Sequence, residues 1–491
     1  MSTENISFLK VMRSFNKTFW IASIMELFER WAWYGLFAVL ALYLTGSTDE
    51  GALGFTHTEK GQIMGIITAI LYLLPLFTGV ISDKIGYKLS LIIAYIMLIS
   101  GYYFMGEVSS YENVFLVFLY VAVGAAIFKP VASAIITKST DKSNSTLGFG
   151  IFYMMVNIGG FIGPAFSSTL RTQFGWKIVF IQAAVVIFIN LLIVIIFFKE
   201  PQRVKKVEPL NELLISSFKN ILDALKDTKL TVLLIIMVGF WTMFNQLFYT
   251  LPTFIEDWID TAALHDTIAQ ISPWLASFMS GGGTSINPEM LINIDAGAII
   301  LLQLTVSYFV LKMRHVSAMT TGFIVATIGI GITFYTGNGL YTIFGIVIFA
   351  IGEMMTNPTF SSFIALISPK GKEALYMGTY FVPIFAGNLL TTFVSGNLYQ
   401  SWSDKLSLLQ SEMVKRGIGM PEISKEFTKN DYFSLASEKL NMTQIQMTQL
   451  IWDNYQPNKI WYVIVGIGVV TITALIIYDR MVIRPKEKQI F

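Results

Sequence analysis

FWIASIMELFERWAWYGLFAVLALYLT, residues 19–45, is apolar enough to cross a membrane yet carries Glu26, Glu29 and Arg30 at its centre. A hydrocarbon core of ~30 Å takes about 20 helical residues, so this stretch spans it with the three charges at depth. Each ionised side chain there costs about 3 kcal/mol on insertion scales, which makes it a mark of function. Glu26, Glu29, Arg30, Trp33, Tyr34 and Phe37 recur at spacings of three and four, so one helix face carries them all and is expected to look into a cavity.

The rest of the chain repeats the pattern. Apolar stretches near 60–82, 89–107, 113–137, 147–169 and 177–198 complete a first set of six. A second six follows near 231–255, 293–312, 318–336, 340–366, 375–398 and 459–480. With 54% hydrophobic and 13% charged residues over 491 positions, the apolar surface exceeds what a soluble domain could hide. The expected fold class is therefore an all-α integral membrane protein. Its organisation is a six-helix bundle over 1–198, a linker over 199–230 and a second bundle over 231–491, with insertions near 257–292 and 399–458. The linker places leucines, Phe218 and Ile221 at helical spacing among charges. It reads either as an amphipathic helix on the membrane surface or as a solvated, partly helical connection.

Short loops on the translocated side disfavour Lys and Arg. Placing both termini in the cytoplasm leaves only Lys60, Arg171 and Lys177 in short external loops. The N-terminal segment lacks an apolar run ending in a small-residue cleavage site, so no removable signal peptide is expected. A net charge of +2 gives no case for a nucleic-acid partner. The absence of cysteine excludes disulfides, thiolate metal sites and cysteine nucleophiles. His57, His265 and His315 lie at no metal-ligand spacing, so no metal is expected. SGGGTS (280–285) lacks the Lys-Ser/Thr of a phosphate loop and reads as a turn, and nothing else suggests an enzyme.

Two further buried charges stand alone: Lys129 in GAAIFKPVAS and Glu353 in FAIGEMMTNP. They sit in opposite bundles with opposite signs, so they are expected to meet as the cavity changes access. Glu26 and Arg30 form an i, i+4 pair with Glu29 beside it, which would hold Arg30 rigidly with donors left for a ligand. These charges are either static ion pairs that join helices or coupling machinery. Three carboxylates against two cations leave one unmatched, the minimum equipment for carrying a proton.

GVISDKIGYK, between the second and third stretches, resembles the loop signature of the major facilitator superfamily through Gly79, Asp83, Lys84, Gly86 and Lys88. An acid at a helix end, a tight glycine turn and basic residues make a cytoplasmic latch between helices. Six plus linker plus six, with both ends inside, is that superfamily's plan of twelve transmembrane helices in two bundles rocking about a midplane site.

Four motifs narrow the resemblance to the proton-dependent oligopeptide transporters. ELFERWAWYG is similar to the family's first-helix motif through Glu26, Glu29, Arg30 and Tyr34. FYMMVNIGGFIGP matches its fifth-helix signature through Phe152, Tyr153, Asn157 and Gly159, and IFKP and GEMMTNP look like its fourth- and tenth-helix motifs. The resemblance implies proton coupling by Glu26, Glu29, Arg30 and Glu353, with the proton gradient as energy source and no cofactor. It implies that Lys129 holds a peptide carboxylate, Asn157 and Asn293 the backbone, and Glu353 the free amine, with Arg30 and Asn245 also in the substrate site. Trp33, Tyr34, Tyr153, Trp241 and Tyr380 would supply side-chain pockets, although each is also an ordinary packing residue. Expected partners are di- and tripeptides, protons and the lipid of the cell (inner) membrane, around a monomer.

Two positions depart from the family. The seventh helix usually reads Phe-Glu-Gln; here it reads Phe244, Asn245, Gln246. The first helix often carries a second arginine where this chain has Phe37. Those two family charges can pair across the external gate, and removing both avoids a buried unpaired charge. The linker is also too short for the two additional helices of many bacterial members. A carrier of the same fold for a nitrate-like anion, a modified amino acid or a drug, or an uncoupled facilitator, is the other reading.

Overall fold

The computed structural model describes residues 14–141, 144–201, 209–369 and 373–484. The latter part of EPQRVKKVE in the linker, 202–208, lies outside them. Every regular element among the described residues is helical. Helix α1 runs Lys17–Thr45, where the Asn16 side chain accepts from the Phe19 N–H at 2.9 Å and starts it. Helix α2 is a bent pair, His57–Leu73 and Pro75–Ile85, with 46° between the parts. Its first turn is closed by a capping box of Thr56 and Glu59, and the break falls at Pro75, which cannot continue the hydrogen-bond ladder. Then come α3 (Tyr87–Met105), α4 (Tyr111–Ser139), α5 (Ser145–Phe174) and α6 (Trp176–Phe197).

The second set comprises α7 (Thr228–Tyr249), α8 (Pro288–Val310), α9 (His315–Tyr335), α10 (Gly339–Ile367) and α12 (Ile460–Tyr478). Between the last two, α11 runs Phe381–Thr392 and continues through a π-turn, Phe393–Leu398, to Tyr399–Trp402. Ten described helices are long and apolar enough to cross a membrane, or eleven with the bent pair as one span. Helix α1, which carries Glu26, Glu29 and Arg30 at its centre, is not among them. The chain thus has the all-α, membrane-spanning architecture that the apolar pattern implies.

Between the sets, helix Leu210–Leu225 buries Leu213 and Ala224 and leaves Ile215, Phe218 and Leu222 exposed, an apolar face turned away from the bundles. The start of α1 lies beside the end of α6, with Lys17 Nζ 5.3 Å over the Phe197 ring, and the end of α12 beside the start of α7, where Tyr478 Oη donates to the Lys229 carbonyl at 3.3 Å; this side of the bundle is here called the terminal side. On the opposite, far side, the 257–292 insertion forms helices Thr261–Ile271 and Pro273–Ser280. The 399–458 insertion folds into Lys405–Lys415, Lys429–Leu440 and Gln444–Tyr455. This second cap grips the other half: Asn430 Nδ2 donates to Asp49 and Glu50 of the α1–α2 loop at 2.9 and 2.8 Å.

The latch motif sits on the terminal side. Gly86 turns from α2 into α3 at φ 111°, a conformation that needs glycine. Tyr87 Oη donates to Asp83 at 3.0 Å, and Lys88 Nζ donates to the Ile195 and Phe198 carbonyls at 3.1 and 3.2 Å. The lysine thereby takes up orphan carbonyls at the end of α6, where a helix favours a cation. Gly79 lies against Pro130 of α4, so the same motif spaces α2 from the helix that carries Lys129.

Candidate functional site

Between the halves lies a cavity of about 200 Å³. From α1 it takes Trp33, Tyr34 and Phe37, and from α5 Tyr153 and Asn157. The other half contributes Trp241 and Asn245 on α7, Asn293 and Asp295 on α8, and Glu353 and Asn357 on α10. Most of the residues singled out in the sequence therefore converge on one space.

Glu26, Glu29 and Arg30 do not line it. Arg30 Nε donates to Glu29 at 2.5 Å and lies 3.4 Å from Glu26, Arg30 Nη2 pairs with Glu29, and all three residues are buried. The reason is the approach of α5. A Cβ on Gly159 would stand 2.3 Å from the Leu27 carbonyl oxygen, and one on Gly163 2.4 Å from that of Trp31. Only glycine permits such contact, and the two together draw α5 over the charged face of α1. The expectation that this face looks into the cavity is thus corrected: its upper part, Trp33 to Phe37, does so, and the charges lie behind it. Arg30 still reaches the cavity wall through Tyr34, whose ring is 5.7 Å from the guanidinium.

Lys129 and Glu353, expected to meet as the cavity changes access, are apart in this conformation. Lys129 Nζ lies 4.2 Å over the ring of Tyr72, itself a wall residue, and no ion pair among the described residues joins Lys129 to a carboxylate. Glu353 has a different neighbour: Asp295, one helix away, is within electrostatic range and is buried with it. Asp295 was missed in the sequence, although an acid within LINIDAGAIILL meets the same depth criterion that singled out Glu353. Tyr380 stands one layer back and donates to Asn357 at 2.5 Å. Asn245, where a glutamate was expected, donates to Thr391 at 3.4 Å.

The far side of the cavity is shut by contacts between the halves. Phe37 meets Tyr249 edge-on at 5.5 Å, one turn beyond Asn245, so an aromatic contact stands where the family's charge pair would form. Tyr249 Oη donates to Asn388 at 2.7 Å, and Lys60 Nζ donates to the Tyr249 carbonyl at 2.9 Å. Gly61 of α2 leaves room for Gly396 of α11, where a Cβ would come within 2.7 Å of backbone. Arg171 on α5 forks onto Glu289 on α8 at 3.0 and 3.2 Å. His57 Nε2 is 3.4 Å from Asp404, and Tyr399 donates to Asp257 at 2.9 Å beside it. Lys60 and Arg171 were counted as external loop residues; the structure puts both in helices and, with Lys60 wholly buried, into this closure.

His57, Asp257 and Asp404 offer ligand atoms within 4.8 Å of one another, a group that sequence spacing did not reveal. Asp404 already accepts from Gln400 and Ser407, and Lys60 supplies a cation beside the cluster. These partners make it an ion-pair network across the gate.

The sequence profile of the Major Facilitator Superfamily matches residues 20–288, over half of the chain. The chain belongs to the Major Facilitator Superfamily. Members of this superfamily are transporters, not enzymes. Dipeptide and tripeptide permease A of Escherichia coli (strain K12) is 28% identical over 242 residues, 47% of this chain and 44% of that protein. Dipeptide and tripeptide permease B of Aliivibrio fischeri (strain MJ11) is 30% identical over 36% of this chain and 35% of that protein. The match thus spans about a third to under half the length of these curated relatives. A crystal structure of the peptide transporter POT in complex with sulfate superposes with a TM-score of 0.68 at 15% identity, over 97% of this chain and 99% of that one. A nucleoside transporter variant, NupG, superposes with a TM-score of 0.67 at 13% identity, over 94% and 100%. Likenesses at this identity establish the superfamily fold, and the sequence relatives place the resemblance among peptide permeases.

Proposed function

We propose that this chain is a proton-coupled symporter that carries di- and tripeptides into the cell across the cytoplasmic membrane by alternating access. The observation that carries the proposal is the distribution of charge around one small cavity. Cations, Arg30 and Lys129, stand behind the wall given by α1–α6; carboxylates without cationic partners, Asp295 and Glu353, form the wall given by α7–α12; amides and aromatic rings lie between. A zwitterion with a short backbone is complementary to that order. The volume is below the ~300–1,000 Å³ of drug-sized sites, which suits a small substrate.

Both termini are assigned to the cytoplasm, so the closed far side is external and this conformation keeps the cavity from the outside. A carboxylate of the Glu26, Glu29 and Arg30 cluster can carry the proton while Glu353 holds the ammonium, so that proton and peptide cross in the same loaded form. Coupling is thus assigned to Glu353 together with the Glu26, Glu29 and Arg30 cluster. The exposed apolar face of Leu210–Leu225 lies against the lipid surface.

The test is uptake of a labelled dipeptide into proteoliposomes with and without an imposed proton gradient. Acid outside is expected to drive accumulation, and Lys129→Ala or Glu353→Gln to abolish it. Full uptake by either variant removes the assigned roles. A second reading, an uncoupled facilitator for a non-peptide solute, is favoured by Asn245, which puts an amide where the family titrates. Dipeptide flux indifferent to the gradient, or displacement by a nucleoside and not by dipeptides, supports that reading instead.

A further inference from the structure

The wall that α8 and α10 give the cavity holds three acceptor atoms without a donor: Asn293 Oδ1, Asp295 Oδ1 and Glu353 Oε2. Their residues are more than nine-tenths buried, at 4, 5 and 9% exposure. The amide of Asn293 is oriented, because its Nδ2 donates to the Phe161 carbonyl at 2.9 Å; its oxygen is therefore the group left over. Leaving a buried acceptor unmade costs about 1–3 kcal/mol, and more for a charged one, so three on one wall are matched by something the protein itself does not supply.

The charge around the cavity says what that is. Arg30 is taken up by Glu26 and Glu29, and Lys129 lies over Tyr72. No ion pair among the described residues includes Asp295 or Glu353. Two carboxylates thus face one space with no cation of their own. A single α-ammonium offers three N–H donors but one positive charge, so beside it the second carboxylate is neutralised only by a proton, a place that a second cation on the substrate would take.

We infer that Asp295 joins Glu353 in a two-carboxylate seat that selects substrates carrying a second positive charge next to their amino end, such as dipeptides whose first residue is lysine. The inference rests on the peptide reading above and names the substrate class of that site. Asp295 is the specificity-determining member, because no motif of the chain assigns it and it supplies the charge that a lone ammonium does not need. A cation in the second residue would lie toward Lys129 and gain nothing.

The experiment uses the full chain in proteoliposomes and measures how unlabelled Lys-Ala, Ala-Lys and Ala-Ala compete with labelled Ala-Ala. Lys-Ala is expected to compete about tenfold better than Ala-Ala, the equivalent of one charge-assisted hydrogen bond, with Ala-Lys close to Ala-Ala. Asp295→Asn is expected to bring Lys-Ala within about twofold of Ala-Ala. Equal competition by all three in the unsubstituted protein overturns the inference, as does an unchanged ratio in Asp295→Asn. If that variant fails to fold, the contrast between Lys-Ala and Ala-Lys in the unsubstituted protein decides. A separate arm needs no peptide: thermal protection of the detergent-purified protein by 1,4-diaminobutane against butylamine at matched ionic strength. If no dipeptide competes but the diamine protects more than the monoamine, the seat stands and the peptide reading falls; equal protection overturns the seat.

Discussion

Arg171→Met is the perturbation that most directly tests how the far side is held shut. The guanidinium makes a two-point contact with a wholly buried carboxylate, Glu289, at 3.0 and 3.2 Å, while its own side chain is 21% exposed. Removing one partner of a buried pair costs about 3–5 kcal/mol, because the other charge is left without compensation. Water at the arginine end screens part of that, which brings the expected cost to about 2 kcal/mol. The pair joins α5 to α8, one helix from each half, so the cost falls on the far-side-closed form and spares a form in which the two helices separate. At 1.4 kcal/mol per decade, the closed-to-open ratio then falls roughly 30-fold. The chain contains no cysteine, so Thr68→Cys on the cavity wall can serve as the lone label. Its reaction with a membrane-impermeant maleimide added from the far side is expected to accelerate by about that factor in Arg171→Met. Pairing Arg171→Met with Glu289→Gln removes the stranded charge and is expected to return most of the protection. Unchanged labelling in Arg171→Met, with a lowered melting temperature, would refute the reasoning, since the pair would then hold local structure without holding the gate.

Two further outcomes are expected. Gly159→Val drives a branched side chain into the Leu27 carbonyl, 2.3 Å from where the Cβ must stand, and should destabilise the α1–α5 contact by about 3 kcal/mol or more; an unaltered melting temperature in detergent would show that α5 can retreat at little cost. Asn430→Ala removes two hydrogen bonds from the cap to Asp49 and Glu50, each worth about 1 kcal/mol, so amide exchange over 47–50 should speed by at least tenfold while α1 is unaffected. Exchange at the unsubstituted rate would mean that the cap does not restrain that loop.

The apolar stretches and their order were legible in the sequence because a span needs only length and composition, which a linear reading measures directly. Trp33, Tyr34 and Phe37 were placed on the cavity by helical spacing, and they line it. Spacing could not tell that Glu26, Glu29 and Arg30 lie behind that wall, because the answer depends on how closely another helix approaches. That distance is set by Gly159 and Gly163, which say nothing until their neighbour is known. Lys60 and Arg171 were misread for a related reason. A charge near the end of an apolar stretch looks solvated, and only the fold shows that Tyr249 and Glu289 are waiting for them. Opposite signs suggest that Lys129 and Glu353 can pair, but they do not reveal the aromatic face of Tyr72 over which the lysine lies in this conformation.

The two departures from the family motifs now bear on one another physically. If an arginine at position 37 and a glutamate at 245 were simply deleted, the gate would lose an attraction and have nothing in its place. Here the first becomes Phe37, and its ring finds Tyr249 one turn beyond the second, so the contact between α1 and α7 survives as an aromatic edge. An aromatic pair contributes about 0.5–1.5 kcal/mol beyond burial and does not respond to protonation. The charged groups at this closure lie farther out: Lys60 beside Asp257 and Asp404, and Arg171 with Glu289. These groups join the same two halves and do not line the cavity. Under the proposed function, a gate held in this way needs no titrating group beside the substrate. The carboxylates that do remain there, Asp295 and Glu353, are therefore left to respond to what binds between them.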